Sequence, residues 1–373
     1  MIDEDLGRPT WCDIDLSAIE RNIETIRKHV SVPVMPVIKA DAYGHGAINV
    51  ARRLQDTGTT TLGVAYVEEA IALRRAGVTI GIHVLGGAVE RQVPLFLEHD
   101  LIFTVPSLDK LRQVDSAASE RGVRAKAHLK IDTGMERIGV HHYNAAALIE
   151  ASLECASVDI DGVFSHFATS DEADLDPSRR QLERFLEAIA HYDRLGVPTP
   201  TRHMANSGAV AQLPESWLDL VRPGLLMFGV WPSTEMQKTF QVEPAMSWRS
   251  EVVFFKVVEP GSPVSYGSTW SPSEQSRVVT VPVGYGDGYR RSLSNCAEVI
   301  IRGERHQVVG RVCMDQTMVN IGWGTAYNGD IVTLVGADGD ERISVEELAE
   351  KADTIPYEVL TSVTSRVPRR YVS

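Results

Sequence analysis

Cysteine is scarce: four residues in 373, at Cys12, Cys155, Cys296 and Cys313, with no CxxC pair among them. Scattered this way they imply neither a disulfide framework nor a zinc site, and no metal is expected; reduced, mostly buried thiols are. Long apolar runs are missing too, and nothing approaches the roughly 20 residues that a membrane span requires. Positive charge is in deficit, with 37 Lys and Arg against 50 Asp and Glu. The resulting net charge of −13 argues against nucleic acid or an anionic membrane as partner. The opening Met1-Ile2-Asp3-Glu4-Asp5 is acidic and has neither the basic nor the apolar region of a secretion signal, so a cytoplasmic protein is expected. Internal repeats and low-complexity tracts are also absent. What remains is an ordinary globular composition, 43% hydrophobic and 23% charged. At this length it implies two domains, or a barrel with an appendage.

From about Asp13 onward, short apolar runs alternate with amphipathic stretches. Residues 34–38 read as a buried strand with Pro33 and Pro36 at its start, followed by a helix through Ile48, Val50 and Leu54. Further strands are expected at 62–65, 80–85, 101–105, 125–131, 162–167, 202–203 and 218–221. Helices are expected at 67–76, capped by Gly77, and after Ser107 through Leu108, Leu111 and Val114. A long helix should present Leu182, Phe185, Leu186, Ile189 and Leu195 on one face. This alternation predicts a (β/α)8 barrel, with an open doubly wound sheet as runner-up. Near Trp231 the pattern stops. Strands at 250–258, 276–283, 298–301, 307–309 and 331–335, with one helix at Val345–Lys351, predict a mainly β domain. The boundary falls at about Met236, giving residues 1–236 to the barrel and 237–373 to the β domain.

Unusual polar residues fall at particular points of this alternation. Lys39, Arg137, His166, Ser207 and Arg222 each lie at or just past the C-terminal end of an expected strand. One alone reads as an exposed loop residue. Five together suit the face on which barrel enzymes build their sites. A lysine there, with its pKa lowered, becomes a base or a nucleophile. In 125–132, Ala125, Ala127, Leu129 and Ile131 would face the helices and Lys126, His128 and Lys130 the interior. A buried ammonium is costly unless paired or neutralised, so Lys130 should be paired, or chemically altered so that it bonds a neighbouring Arg. Ser207 with Gly208 and Gly224 offers free backbone N–H groups for a phosphate. In the second domain, Tyr266 sits between small residues of a loop, while 283–289 and 310–316 are turn-rich. Each of these alone reads as hairpin turns and packing aromatics.

Eight segments carry a resemblance: VIKADAYGHG, LKIDTGMERIG, SHFATSDE, HMANSGA, VRPG, VSYGSTW, VGYGDGY and GRVCMDQ. In order and spacing they resemble the alanine racemases, which use pyridoxal 5'-phosphate, from Trp11 to Tyr371. The resemblance implies a barrel followed by a β domain, in a homodimer whose sites use both subunits. It implies that Lys39 carries the cofactor and is one of two catalytic bases, with Tyr266 of the partner subunit as the other. Arg222 would bond the pyridine nitrogen, and His166 would stack on the ring and contact the Arg222 and Tyr266 side. Tyr43, Ser207, Gly224, Leu225 and Tyr357 match the phosphate binders. Arg137 and the Met314 backbone match the contacts to substrate carboxylate and cofactor oxygen. Lys130 matches a position that is a carbamate in some members. Asp171, Tyr285, Arg290, Arg311 and Ile355 fall where the family narrows its access channel. Glu136, beside Arg137 where a small residue is common, and Gly286, where Ala is frequent, depart from the pattern.

The implied reaction is racemisation of alanine by two bases, supplying D-alanine for peptidoglycan. A decarboxylase of similar build would put a carboxylate, not Arg222, on the pyridine nitrogen. A non-catalytic pyridoxal phosphate-binding protein would resemble the barrel alone. A racemase of serine or a larger amino acid shares the same residues.

Overall fold

The computed structural model describes residues 7–372, so the acidic Met1-Ile2-Asp3-Glu4-Asp5 segment lies outside the described residues. Eight parallel staves close into a barrel in chain order. The pairs are Thr61–Val64 with Gly81–Val84, and then Phe103–Val105, Ala125–Asp132, Val158–Phe164 and Thr201–His203 side by side. Single bridges complete the ring, joining His83 to Ile102, His203 to Leu220, Val34 to Val221 and Val37 to Gly63. The first stave is held by bridges instead of a ladder because Pro33 and Pro36 have no N–H to give. Met35 and Val37 still donate to Val221 and Pro223, and Gly63 donates to Pro36.

The helices between the staves follow their apolar spacing. Ser107 accepts from the Lys110 amide to start Leu108–Glu120, which buries Leu111, Val114 and Ala118. Asp176–Leu195 buries Leu182, Phe185, Ala188, Ile189 and Tyr192 and ends at Gly196, φ 69°. Leu186 and Leu195, expected on that face, are exposed. At 100° per residue the buried stripe runs through Tyr192 instead. Lys126 is a second correction: it is exposed below the barrel and paired with Asp100 at 3.1 Å, so only His128 and Lys130 point inward.

The β domain is one large sheet. The expected strand 250–258 is two, Met246–Glu251 and Phe254–Val258. A second helix, Pro356–Ser362, follows Val345–Lys351, with Pro356 at its first position. The N-terminal strand Thr10–Asp15 does not join the barrel. It inserts between Met246–Glu251, antiparallel, and Arg369–Val372, parallel. Cys12 and Ile14 on that strand are fully buried in a core that runs on through Trp248 and into the barrel. Cys12 alone among the cysteines is buried, and its thiol is pushed up to about 12 by that burial, whereas Cys296 is exposed. No helix among the described residues is long and apolar enough to cross a membrane.

Ile14→Ala is therefore expected to destabilise the protein by about 2–5 kcal/mol through the cavity it leaves. Thermal unfolding followed by circular dichroism checks this, and Glu24→Ala in an exposed pair with Lys28 should leave the melting temperature within scatter.

Candidate active site

The C-terminal ends of the staves surround a cavity of about 400 Å³, whose walls include Lys39, Tyr43, Lys130, Arg137, His166, Ser207, Arg222, Gly224 and Tyr357. A larger cavity, about 640 Å³, lies in the β domain beside Tyr266 and Cys313. The smaller one is the chemical site, because the titratable groups converge there.

Lys39 ends the first stave and opens a turn that the sequence pattern does not announce. Ala40, Asp41, Ala42 and Tyr43 all have φ between 53° and 55°, one turn of left-handed helix where the expected right-handed helix has not yet begun. Such residues cost roughly 1–2 kcal/mol each, so the turn must be held. The Ala40 amide donates to Glu69 Oε1 at 2.6 Å, and the Ala47 amide donates to Asp41 Oδ1 at 2.8 Å. The buried His45 ring donates from Nδ1 to the carbonyls of Ala42 and Tyr43, both at 3.0 Å. Burial holds that imidazole down at about 4, so it is neutral. Gly44 closes the turn at φ 81°, where a Cβ would meet the Leu360 carbonyl oxygen at 2.4 Å. Burial also lowers the Lys39 amine, helped by Arg137 and opposed by Glu69. An amine so placed is readied to act as a nucleophile or base.

Arg222 is buried beneath the cavity, donating to Ser165 O at 2.9 Å, Met204 O at 3.2 Å, His203 Nδ1 at 2.8 Å and His166 Nδ1 at 3.4 Å. A guanidinium only donates, so His203 must carry its proton on Nε2. That Nε2 donates to His128 Nδ1 at 2.8 Å. Deeper still, the Thr104 hydroxyl donates to Val84 O at 2.8 Å and so accepts from His83 Nε2 at 3.1 Å. All these rings are neutral: burial and the Arg222 charge hold His128 at about 3, and His83, His166 and His203 well below the ordinary imidazole value. Burial pulls Arg222 to about 9, which leaves it charged at neutral pH.

His83, His128 and His203 have ligand atoms within 4.8 Å of one another, a spacing a metal ion could use. The surroundings oppose that reading. A cation already occupies one end of the column at His203, and among the described residues no carboxylate joins the group. His83 and Thr104 were not singled out from the sequence; the trace they left is a polar residue inside each of two apolar stave runs, 81–84 and 103–105.

Lys130 is buried as expected. Its amine, pulled to about 7 by burial and by Arg222, donates to Ile131 O at 3.1 Å and lies 5.1 Å from the Phe164 ring centre. Asp132 pulls it the other way through space, but among the described residues it makes no ion pair and no bond to an arginine. Asp132, next along, builds the Arg137 loop by accepting from the amides of Gly134, Met135, Glu136 and Arg137. Burial would raise this carboxyl, but those amides and Lys130 outweigh it and hold it below the usual carboxylate value. The Glu136 carboxylate, beside Arg137 in the chain, pairs with His141 3.0 Å away at the surface.

Across the cavity, Ser207 Oγ accepts from the amides of Gly224 at 2.9 Å and Leu226 at 3.4 Å, tying two stave ends together. A Cβ on Gly224 would come within 2.3 Å of the Tyr43 hydroxyl, so the cradle closes only around glycine. Burial raises the hydroxyls of Tyr43 and Tyr357, which therefore remain protonated donors. Leu225, beside them, is fully buried. Tyr266 and Met314, 72% and 53% exposed on the other domain, do not line this cavity. Asp171, Tyr285, Arg290, Arg311 and Ile355 likewise stand off the walls of this cavity.

A ligand with phosphate at one end and an aldehyde at the other would use both the cradle and the lysine. Fold and site together define a barrel-type pyridoxal phosphate enzyme. Family models agree, matching residues 14–232 as "Alanine racemase, N-terminal domain" and 245–371 as "Alanine racemase, C-terminal domain". The chain belongs to the alanine racemase family, which depends on pyridoxal phosphate. It is 38% identical to the alanine racemase of Halothermothrix orenii, over 98% of this chain and 97% of that one. It is 41% identical to alanine racemase 2 of Caldanaerobacter subterraneus subsp. tengcongensis, over 98% and 95%. Among solved structures, alanine racemase of Clostridium difficile 630 superposes with a TM-score of 0.93 at 35% identity, covering 99% of this chain and 97% of that one. That of Bacillus anthracis with bound L-Ala-P gives 0.92 at 34%, covering 99% and 96%.

The Gly224 contact makes a sharp test of the cradle. Gly224→Ala should displace Tyr43 and weaken retention of pyridoxal phosphate about tenfold or more, read as cofactor absorbance remaining after dialysis.

Proposed function

We propose that this protein interconverts L- and D-alanine by two bases, Lys39 of one subunit and Tyr266 of its partner, in a cytoplasmic homodimer. The observation that carries the reading is the amine of Lys39, lowered by burial at the barrel mouth opposite the Ser207–Gly224 cradle. The product D-alanine would serve peptidoglycan synthesis. The division at Met236 stands as part of this reading, with the barrel of one subunit facing the β domain of the other.

The bound cofactor supplies an electron sink for the pair left behind when the substrate loses its α-proton. Side chains do the rest. Lys39, its amine lowered by burial, takes or returns that proton on one face, and Tyr266 does so on the other. One base gains the proton that leaves carbon while the other donates its replacement, so the pair exchanges roles with each turn of opposite direction. Arg222, charged and bonded to a neutral histidine column, offers the cofactor ring nitrogen no acid, and this moderates the sink. Arg137 binds the substrate carboxylate beside the Met314 backbone. Tyr43, Ser207, Gly224, Leu225 and Tyr357 hold the phosphate. A carbamate on Lys130 would give Arg137 the anion it lacks and end the crowding of cations around Arg222.

Incubation with L-alanine followed by chiral chromatography should yield equal amounts of the two enantiomers, whereas L-serine and larger amino acids should turn over far more slowly. Borohydride reduction and peptide mapping should find the pyridoxyl group on Lys39; a label on any other lysine refutes the assignment.

The shared site has its own test. Inactive Lys39→Ala and Tyr266→Phe subunits, mixed under conditions that exchange them, should recover about a quarter of wild-type activity, since about half the dimers then hold one intact site. No recovery would mean that both bases come from one chain.

A further inference from the structure

Glu69 belongs to the second stave's helix, Val67–Arg75, and nothing in the proposed mechanism uses it. Its two carboxylate oxygens do different things. Oε2 accepts from the amides of Ala65 at 2.7 Å and Tyr66 at 3.2 Å, which caps its own helix. Oε1 reaches across to the neighbouring stave and accepts from the Ala40 amide at 2.6 Å. That amide is the peptide group joining Lys39 to the left-handed turn.

We propose that Glu69 is a positioning residue for Lys39: it clamps the first amide of the left-handed turn to the loop 65–66 and thereby aims the Lys39 amine. The proposal rests on the reading of Lys39 as the lysine that bears the cofactor. A left-handed turn of four residues, three of them Ala or Asp, has no conformational preference of its own to keep it in place. Its start needs an acceptor for an amide that no preceding turn supplies, and a carboxylate satisfies it with a charge-assisted bond. The clamp also joins two staves just where the first is weakest, held by bridges alone.

The same carboxylate faces the amine it positions. The charged and titratable groups that share the mouth with Lys39 include Lys130, Arg137, His166, Arg222 and Tyr357 from the other staves and the β domain, Tyr43 on its own turn, and Glu69 from the neighbouring helix. Arg137 lowers the amine and Glu69 raises it. Glu69 thus sets both where the amine points and how far its proton is held.

Two substitutions separate these roles. Glu69→Asp keeps the charge but is one methylene too short to bridge both anchors. Glu69→Gln keeps the length, loses the charge and turns an NH₂ group toward one of the amides. Each should lower kcat about tenfold or more, with KM changed less than about threefold. In full-length apoprotein, the pH dependence of Lys39 labelling by an amine reagent should shift to lower pH in Glu69→Gln and stay near wild type in Glu69→Asp. Kcat within twofold of wild type in both variants would overturn the proposal. So would a labelling midpoint unmoved in Glu69→Gln, because the residue would then be a helix cap and nothing more. Should Glu69→Gln fold poorly, kcat of Glu69→Asp decides, and should Glu69→Asp fold poorly, kcat and labelling of Glu69→Gln decide. Wild-type borohydride mapping comes first: a label away from Lys39 sinks the proposed function itself, and the Glu69 proposal with it.

Discussion

A buried guanidinium is stable only where acceptors surround it, and the inside of this barrel is arranged around that demand. Arg222 has carbonyls from two staves' ends and two imidazole nitrogens around it. Because it can only donate, it fixes the tautomer of His203, and through His203 that of His128. Its charge and the shared burial keep the rings neutral. Histidines that would otherwise be switches near neutral pH are here fixed polar spacers. The histidine column is therefore polar without being protonated near neutral pH, and it floors the cavity where Lys39 and Lys130 stand.

That arrangement explains which parts of the site were legible in the sequence. A lysine, two arginines, a histidine and a serine at strand ends are conspicuous because apolar residues should stand there, and the cavity gathers all five. The inward alternation of His128 and Lys130 could be read as well, but not where the barrel floor ends, so Lys126 was drawn inside when it lies below, with Asp100. Glu69 could not be found this way. A glutamate in the first turn of a surface helix is the commonest of helix residues, and what distinguishes it is a contact with Ala40, a residue of another stave.

Other features were hidden for different physical reasons. The left-handed turn runs through Ala40, Asp41 and Ala42, residues with no glycine among them to mark a positive φ. Its cause is tertiary: Glu69, His45 and the tight packing at Gly44 impose it. Glu136 departs from the family pattern beside Arg137, yet its backbone takes a positive φ of 54° and its carboxylate pairs with His141 at the surface. Tyr266 stands exposed on the other domain, outside the cavity that holds Lys39.

The strand Thr10–Asp15 has a consequence for how the chain is made. Its neighbours in the sheet begin at Met246 and Arg369, so Cys12 pairs with Trp248 and Arg369, both made long after it. At about 5–20 residues per second, synthesis of the chain between Cys12 and Trp248 takes roughly 12–50 s. Throughout that time a strand bearing Trp11, Cys12 and Ile14, all buried in the finished protein, has no partner. The barrel can close in the meantime, but this strand must wait, apolar and unpaired, for Met246–Glu251. The vulnerable period of this protein falls within its own translation, between the making of those two strands.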